Sequence, residues 1–472
     1  MSPRPPLLLG AGFVVAIALA GCAGLAPTPA ASPALAAQVQ ADTLPPAWQT
    51  ALPHARPAGE LSRWWSRFDD PLLGRLVDAA QAASPSIAAA ASRIEQGRAA
   101  RVAAGAALLP TLAATASASR GRSDLSVPTA SAVGVGLQAA WEIDLFGAGR
   151  AGRVAAEARF EAASASWHAA QVSLAAEVAS SYAVLRACEA QIAQARADAS
   201  SRAETARLTQ LAADAGFQAP ANAALTRASA AQANARLTQQ RAACELNLKA
   251  LVALTGIQEP ELRGQLAGAT ARLPQPEAIV VASVPAQALA QRPDLAAAER
   301  ELLAAAAEVD QASALRYPRI TLAGSLGASR IDAGAGSLDG AVWSIGPVAV
   351  RLPIFDAGTR KVNVDAARAR HTAAASAYAG SLRTAVREVE SALVDLQSSA
   401  DRAADARTAA DGFAASLRAT QARYDGGLAS LFELEDARRS AVQAEVALID
   451  LARERLLAWI NLYRALGGGW TS

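Results

Sequence analysis

The sequence predicts an internally duplicated α+β membrane protein in which each half supplies one β-hairpin of membrane length and one very long helical hairpin. Three observations predict it. Pro85 to Pro110 and Pro293 to Pro318 enclose helical runs with the same 25-residue spacing. After each second proline the pattern switches from helical to alternating. No proline then occurs between Pro128 and Pro220, or after Pro353. The two copies are offset by about 210 residues throughout, and such a period makes the repeat the first fact to explain.

The alternating stretches read as strands. In the first copy Leu112, Ala114, Ala116 and Ala118 lead out, and Val133, Val135, Leu137, Ala139, Trp141 and Ile143 return. In the second, Ile320, Leu322, Gly324 and Leu326 lead out, and Val342, Ser344, Gly346, Val348, Val350 and Leu352 return. Each run is about 9–11 residues, the length of a tilted membrane strand. No stretch has the roughly 20 apolar residues of a spanning helix, so a membrane crossing requires a closed barrel. Four strands cannot close, since barrels need at least about eight. Oligomerisation is therefore expected; a dimer would give eight strands and a trimer twelve.

The helical runs are long. From about Arg150 to Ala213 the chain would extend on the order of 100 Å at about 1.5 Å per residue, which suggests a coiled coil or helical barrel. Each long helix breaks at a glycine, Gly216 or Gly427, before a returning helix. Alanine, the best helix former, makes up much of the 52% hydrophobic content, while aromatics are only 4%. That composition favours close helix packing over a large aromatic core.

The N-terminus is a processing segment. Residues 1–21 read as a signal peptide with an apolar run from Leu7 to Leu19, closed by Leu19-Ala20-Gly21-Cys22. This resembles the bacterial lipobox, in which the cysteine is acylated and becomes the mature first residue. Ala23 follows in place of aspartate, which resembles the outer-membrane sorting pattern. Residues 22–60 read as lipid anchor and extended linker, 61–260 as the first repeat with its tip near 216–222, 261–284 as a connecting segment, and 285–472 as the second repeat with its tip near 424–430. Asp70 and Pro71 fit the N-cap and first position of a helix.

Composition excludes several functions. The 44 basic and 42 acidic residues nearly cancel, so no nucleic-acid partner is implied. His54, His168 and His371 are scattered, and no catalytic triad, phosphate loop or metal-ligand spacing is present. The chain reads as a non-enzyme with no cofactor and no metal.

The order of motifs then carries a resemblance. Trp64-Trp65-x-x-Phe68-x-Asp70-Pro71, Arg292-Pro293-Asp294-Leu295 with Glu299, Leu352-Pro353-Ile354-Phe355-Asp356-x-Gly358, Tyr424-x-x-Gly427-x-x-Ser430 and Leu462-Tyr463-Arg464-Ala465-Leu466-Gly467-Gly468-Gly469-Trp470 follow the lipobox. The set resembles the TolC-type outer-membrane channels, more narrowly the NodT-type lipoprotein branch that serves resistance–nodulation–division efflux pumps. The resemblance implies a homotrimer with a twelve-stranded β-barrel in the outer membrane and a periplasmic α-helical barrel. It implies an exit duct for small molecules, partnered by a periplasmic adaptor, an inner-membrane pump and outer-membrane lipids. Two other readings remain at this stage, a conduit for protein secretion and a lipid-anchored periplasmic coiled-coil scaffold.

Site residues follow from the same resemblance. Glu433 and Asp436, three apart on one helix face, match the acidic constriction at the periplasmic end. As six carboxylates in a trimer they would raise each other's pKa and favour cations. Tyr424 matches a latch tyrosine, but Asn222 stands where its acidic partner would be, and Ala221 and Ala429 replace an arginine link. The closed state is therefore expected to depend on tip packing. Gly216, Phe217, Gly427, Leu428 and Ser430 resemble adaptor-docking tips. Cys188 and Cys244 lie 28 residues either side of Gly216 and fall on apolar seams. In an oxidising periplasm they form either a disulfide or two buried thiols.

Overall fold

The computed structural model describes residues 33–50, 68, 70–122, 129–274, 285–334 and 336–470. The signal peptide, Cys22 and the Trp64-Trp65 pair lie outside the described residues. In chain order the elements are α1 (Pro33–Thr43), α2 (Pro71–Ala83), α3 (Pro85–Ala106), β1 (Thr111–Gly121), β2 (Ala130–Ile143), α4 (Ala148–Asp214) and α5 (Pro220–Thr255). They continue as α6 (Glu259–Leu266), α7 (Pro285–Leu289), α8 (Pro293–Ala314), β3 (Arg319–Ala333), β4 (Gly336–Arg351), α9 (Thr359–Asp425) and α10 (Leu431–Ala465). The duplication is exact to the residue in the long helices: α4 and α9 are 67 residues each. Their returning partners α5 and α10 have 36 and 35.

The chain divides into two compact units, and each draws on both sequence repeats. Among the described residues the first holds 33–42, 92–122, 129–164, 297–334 and 336–380, with the whole β-sheet. The second holds 43–50, 68, 70–91, 165–274, 285–296 and 381–470, with both helical tips.

In the first unit the four strands form one antiparallel sheet in the order β1-β2-β3-β4, so β1 and β4 are its edges. Directly paired residues share a face. Val135 therefore lines up with Ala116 and Ala328, and Leu137 with Ala114 and Leu326. On the other face Gly136 meets Thr115 and Gly327, and Ser325 meets Gln138 and Ser344. One face is apolar and exposed, with Leu326, Trp343 and Ile345 at 60%, 71% and 86%; the other is more polar, its small and polar residues interrupted by Val342 and by the Ile331–Leu338 pair. Helices of this unit pack on alanine, with Ala304, Ala306, Ala307 and Ala367 buried. Ion pairs add cross-ties: Glu308 receives both Arg159 and Arg370, and Arg101 reaches Glu157 at 3.1 Å. Where strand gives way to helix, the rings of Phe146 and Tyr317 stack at 5.0 Å between centroids.

Three local readings are corrected. The strands run to 11, 14, 15 and 16 residues, so three of them exceed the 9–11 expected. The single alternation expected along β4 is broken: Ile345 pairs with Gly324, but Val348 pairs with Leu322. One extra residue on β4 moves the apolar set from Trp343 and Ile345 to Val348 and Val350. Pro347 sits at that irregularity, where its missing N–H is tolerated. Finally, the stretch read as an extended linker contains α1, an eleven-residue helix consistent with its alanine content.

In the second unit Asp70 caps α2 as expected, accepting from the Leu72 N–H at 3.0 Å with Pro71 at the first turn. Leu72, Leu73, Leu76, Val77 and Ala80 are buried, and α2 packs on α5. Arg186 is fully buried, stacked on Tyr182 at 4.9 Å, and donates to Glu189 and the Leu266 carbonyl. The N–H groups of Gln49 and Thr50 both donate to the Glu390 carboxylate, at 2.6 and 3.0 Å, which docks the N-terminal segment on α9. No helix among the described residues is long and apolar enough to cross a membrane.

The Gly136–Gly327 pair leaves no room for a side chain at Gly327. A Cβ there would run into the Val135 carbonyl oxygen and lie 2.9 Å from the Gly136 Cα, both backbone atoms. Gly327→Ala is expected to destabilise the sheet by about 1–3 kcal/mol, the usual range for overpacking. The check is a lower temperature for loss of the heat-sensitive oligomer on gels.

Candidate functional site at the helical tips

Both tips are built from the same cap. At the end of α4 the Phe217 N–H donates to the Ala212 carbonyl at 2.8 Å and Gly216 to Ala213 at 3.0 Å. At the end of α9 Leu428 donates to Arg423 at 2.7 Å and Gly427 to Tyr424 at 2.9 Å. These are Schellman motifs, with Gly216 and Gly427 at φ +78° and +72°. Next to the glycines, Phe217 and Leu428 are 85% and 73% exposed.

The outgoing helices start differently. Ala219 precedes α5 without a side-chain cap. Ser430 precedes α10 in a full capping box: its hydroxyl accepts from the Glu433 N–H at 3.2 Å, and its N–H donates to Glu433 Oε2 at 2.6 Å. Glu433 is thus a capping residue of α10. Its carboxyl lies below the usual range, first because of the Ser430 backbone N–H, then the Ser430 hydroxyl and the nearby Arg423. Within one chain the groups nearest the Glu433 carboxylate are donors, which hold its pKa down. Asp436 is exposed and pairs with Arg439 of its own helix.

Tyr424 is half-buried and Asn222 gives its amide to Gln218 at 2.8 Å. No hydrogen bond joins the two among the described residues. A neutral amide offers no charge to compete with its local partner.

Behind the tips lies a cluster that sequence reasoning missed. Glu435, between the two rim acids, turns inward. Its Oε2 accepts from Ser229 of α5 at 2.6 Å and from Arg202 of α4. Its Oε1 accepts from Arg438 at 2.8 Å. Arg202 also holds Asp198, through Nε at 2.9 and 3.1 Å. Arg438 continues to Thr205 of α4 at 3.2 Å and Gln421 of α9 at 3.1 Å. The side chains of Asp198 and Arg438 are each 3% exposed, and those of Arg202 and Glu435 are 12% and 16%. Burial pulls the Arg438 guanidinium below its ordinary pKa. An open groove of about 520 Å³ runs past this cluster, lined also by Phe432, Asp436 and Arg439. The available signal was spacing, Asp198 with Arg202 and Glu435 with Arg438. Exposed pairs such as Glu204–Arg207 share it, so spacing alone could not single the cluster out.

Further along the first hairpin, Cys188 of α4 and Cys244 of α5 are joined in a disulfide with Cα atoms 5.7 Å apart. Gln240 sits beside it, donating to Gln191 at 2.7 Å, and Gln191 donates to Asp450 of α10 at 3.0 Å. Among the described residues no group of three or more His, Cys, Asp or Glu side chains could hold a metal.

The chain matches the family described as "Outer membrane efflux protein" over residues 76–257 and 284–468, one match for each repeat. It is similar to outer membrane protein OprJ of Pseudomonas aeruginosa, 33% identical over 427 residues and 86% of each chain. It is similar to nodulation protein T of Rhizobium leguminosarum bv. viciae, 29% identical over 87% of this chain and 85% of that one. Its fold is similar to the solved outer-membrane channel OprN, with a TM-score of 0.81, 29% identity, and coverage of 90% of this chain and 97% of that one.

Two outcomes follow from the tip geometry. Alkylation of the unreduced protein is expected to leave Cys188 and Cys244 unlabelled by mass spectrometry, and reduction to destabilise the first hairpin by about 2–4 kcal/mol. Because the Glu433 pKa is lowered, its cap contributes fully above the unfolded carboxylate pKa and is lost as pH falls through the folded value. Protection of the Ser430 and Glu433 amides, with exchange rates corrected for their intrinsic pH dependence, is therefore expected to fall on acidification below the usual carboxylate range and to stay level near neutrality.

Proposed function

The chain belongs to the outer membrane efflux protein family, and on that premise we propose that its helical tips gate an outer-membrane exit duct through Glu433 and Asp436. The duct is the outer-membrane component of a tripartite efflux pump. It conducts small molecules passively across the periplasm and outer membrane, with a periplasmic adaptor and an inner-membrane resistance–nodulation–division pump as partners. No catalytic step is needed, and we read the chain as a non-enzyme. The substrate class, whether drugs, other toxic compounds or metal ions, is set by the pump.

The observation that carries this reading is the four-stranded sheet with two open edges and an exposed apolar face. In lipid an unpaired strand edge is not viable. Three copies, β4 of each pairing with β1 of the next, give a closed twelve-stranded barrel whose apolar face meets lipid and whose more polar face lines the lumen. A coiled-coil scaffold has no use for such a sheet, and no feature favours a protein-secretion conduit.

Within this reading Cys22 carries the lipid anchor, and 61–260 and 285–472 are the duplicated units. Phe217 and Leu428, next to Gly216 and Gly427, present apolar side chains to the adaptor. Six carboxylates at the opening, from Glu433 and Asp436 in three copies, favour cations.

The test is conductance of the detergent-extracted oligomer in planar bilayers. Glu433→Ala with Asp436→Ala is expected to raise conductance several-fold and weaken the preference for cations. Absence of conductance in both wild type and the double variant would overturn the duct.

A further inference from the structure

We infer that Arg202, Glu435 and Arg438 form the latch that holds the second helical hairpin against the first, with Glu435 as its hub. This rests on the duct reading and names the residues that set its closed state.

Glu435 is where all four long helices meet. Its two carboxylate oxygens gather Arg202 of α4, Ser229 of α5 and Arg438 of α10. Arg438 then reaches Gln421 of α9. With Asp198 the group has two guanidinium and two carboxylate groups, so its charges balance while it is intact. Nearly buried as they are, they are uncompensated once any one is removed. The rim acids lack this reach. Glu433 is engaged by Ser430 and Asp436 by Arg439, both at the start of the same helix. Rim charge and closure are therefore separate tasks of neighbouring residues.

The repeat shows which hairpin the latch releases. The first is cross-linked between α4 and α5 at Cys188–Cys244. The second contains no cysteine. About 210 residues on from the first cross-link, α9 and α10 are joined instead by Arg402 and Glu454 at 2.7 Å, roughly half-exposed at 54% and 47%. An ion pair so exposed holds little. The first hairpin is tied to itself by a covalent bond and the second at that height only by an exposed ion pair, so the second is the looser of the two once Glu435 lets go.

The experiment records bilayer conductance of the full-length oligomer. Glu435→Gln keeps the side-chain shape and removes the charge. It is expected to raise the open fraction about tenfold, the factor for one lost charge-assisted contact, while Glu454→Gln matches wild type. A second variant, Ser229→Cys with Glu435→Cys, replaces the latch by a bond: conductance is expected to be low when oxidised and to rise on reduction, well beyond any change in wild type reduced alongside, where only Cys188–Cys244 opens. If Glu435→Gln and wild type are indistinguishable while the Glu433→Ala/Asp436→Ala variant conducts, the latch is overturned and the duct stands. Equal conductance of the tethered variant, oxidised and reduced, overturns it as well, even if Glu435→Gln fails to assemble. No conductance in any variant removes the duct and the latch together.

Discussion

A strand edge cannot be left unpaired in hydrocarbon, and much of this structure follows from that one constraint. The chain supplies four strands in one antiparallel sheet, with β1 and β4 open. The smallest barrels need about eight, so the membrane portion is completed only by other copies. Duplication suits this requirement, because each repeat adds a whole hairpin and keeps the direction of alternation. The price of closure is register. With Gly136 against Gly327, where a Cβ on Gly327 would meet backbone, there is no tolerance for slippage where β2 meets β3.

Much of the fold was legible because it rests on punctuation. Prolines opened helices, glycines at φ near +75° closed them, and alternation of small and apolar residues marked strands. What the pattern could not show was counting error along a strand. The β4 irregularity near Gly346 and Pro347 shifts the faces by one residue, and alternation on both sides of it looks regular when read alone. Helix α1 was hidden for a related reason: Ala, Gln and Pro suit a linker as well as a short helix.

The site was legible in outline, and the missing part is instructive. Glu433 and Asp436 announce themselves by position beside the glycine turn. Glu435 is flanked by both, yet a helix turns each residue by about 100°, so neighbours in sequence face different directions. Its partners lie 206 and 233 residues away in sequence. No periodicity reports such a contact; only the packing of α10 against α4 and α5 does. Asn222 in place of an acid was readable, and no hydrogen bond joins it to Tyr424 among the described residues. The replacement was not.

That replacement changes where the closed state is held. A pair at the extreme tip is exposed to water and salt, and exposed ion pairs contribute about 0–1 kcal/mol. Glu435 and Arg438 sit one turn further in, with Arg438 3% exposed. There a missing partner costs about 3–5 kcal/mol, because the remaining charge is left buried and unpaired. Moving the link inward therefore trades a soft, salt-sensitive contact for a firmer one. It also frees Glu433 and Asp436 from structural duty toward the other hairpin. In the proposed duct the acids at the opening can then be tuned for what passes, and the acid behind them for whether anything does.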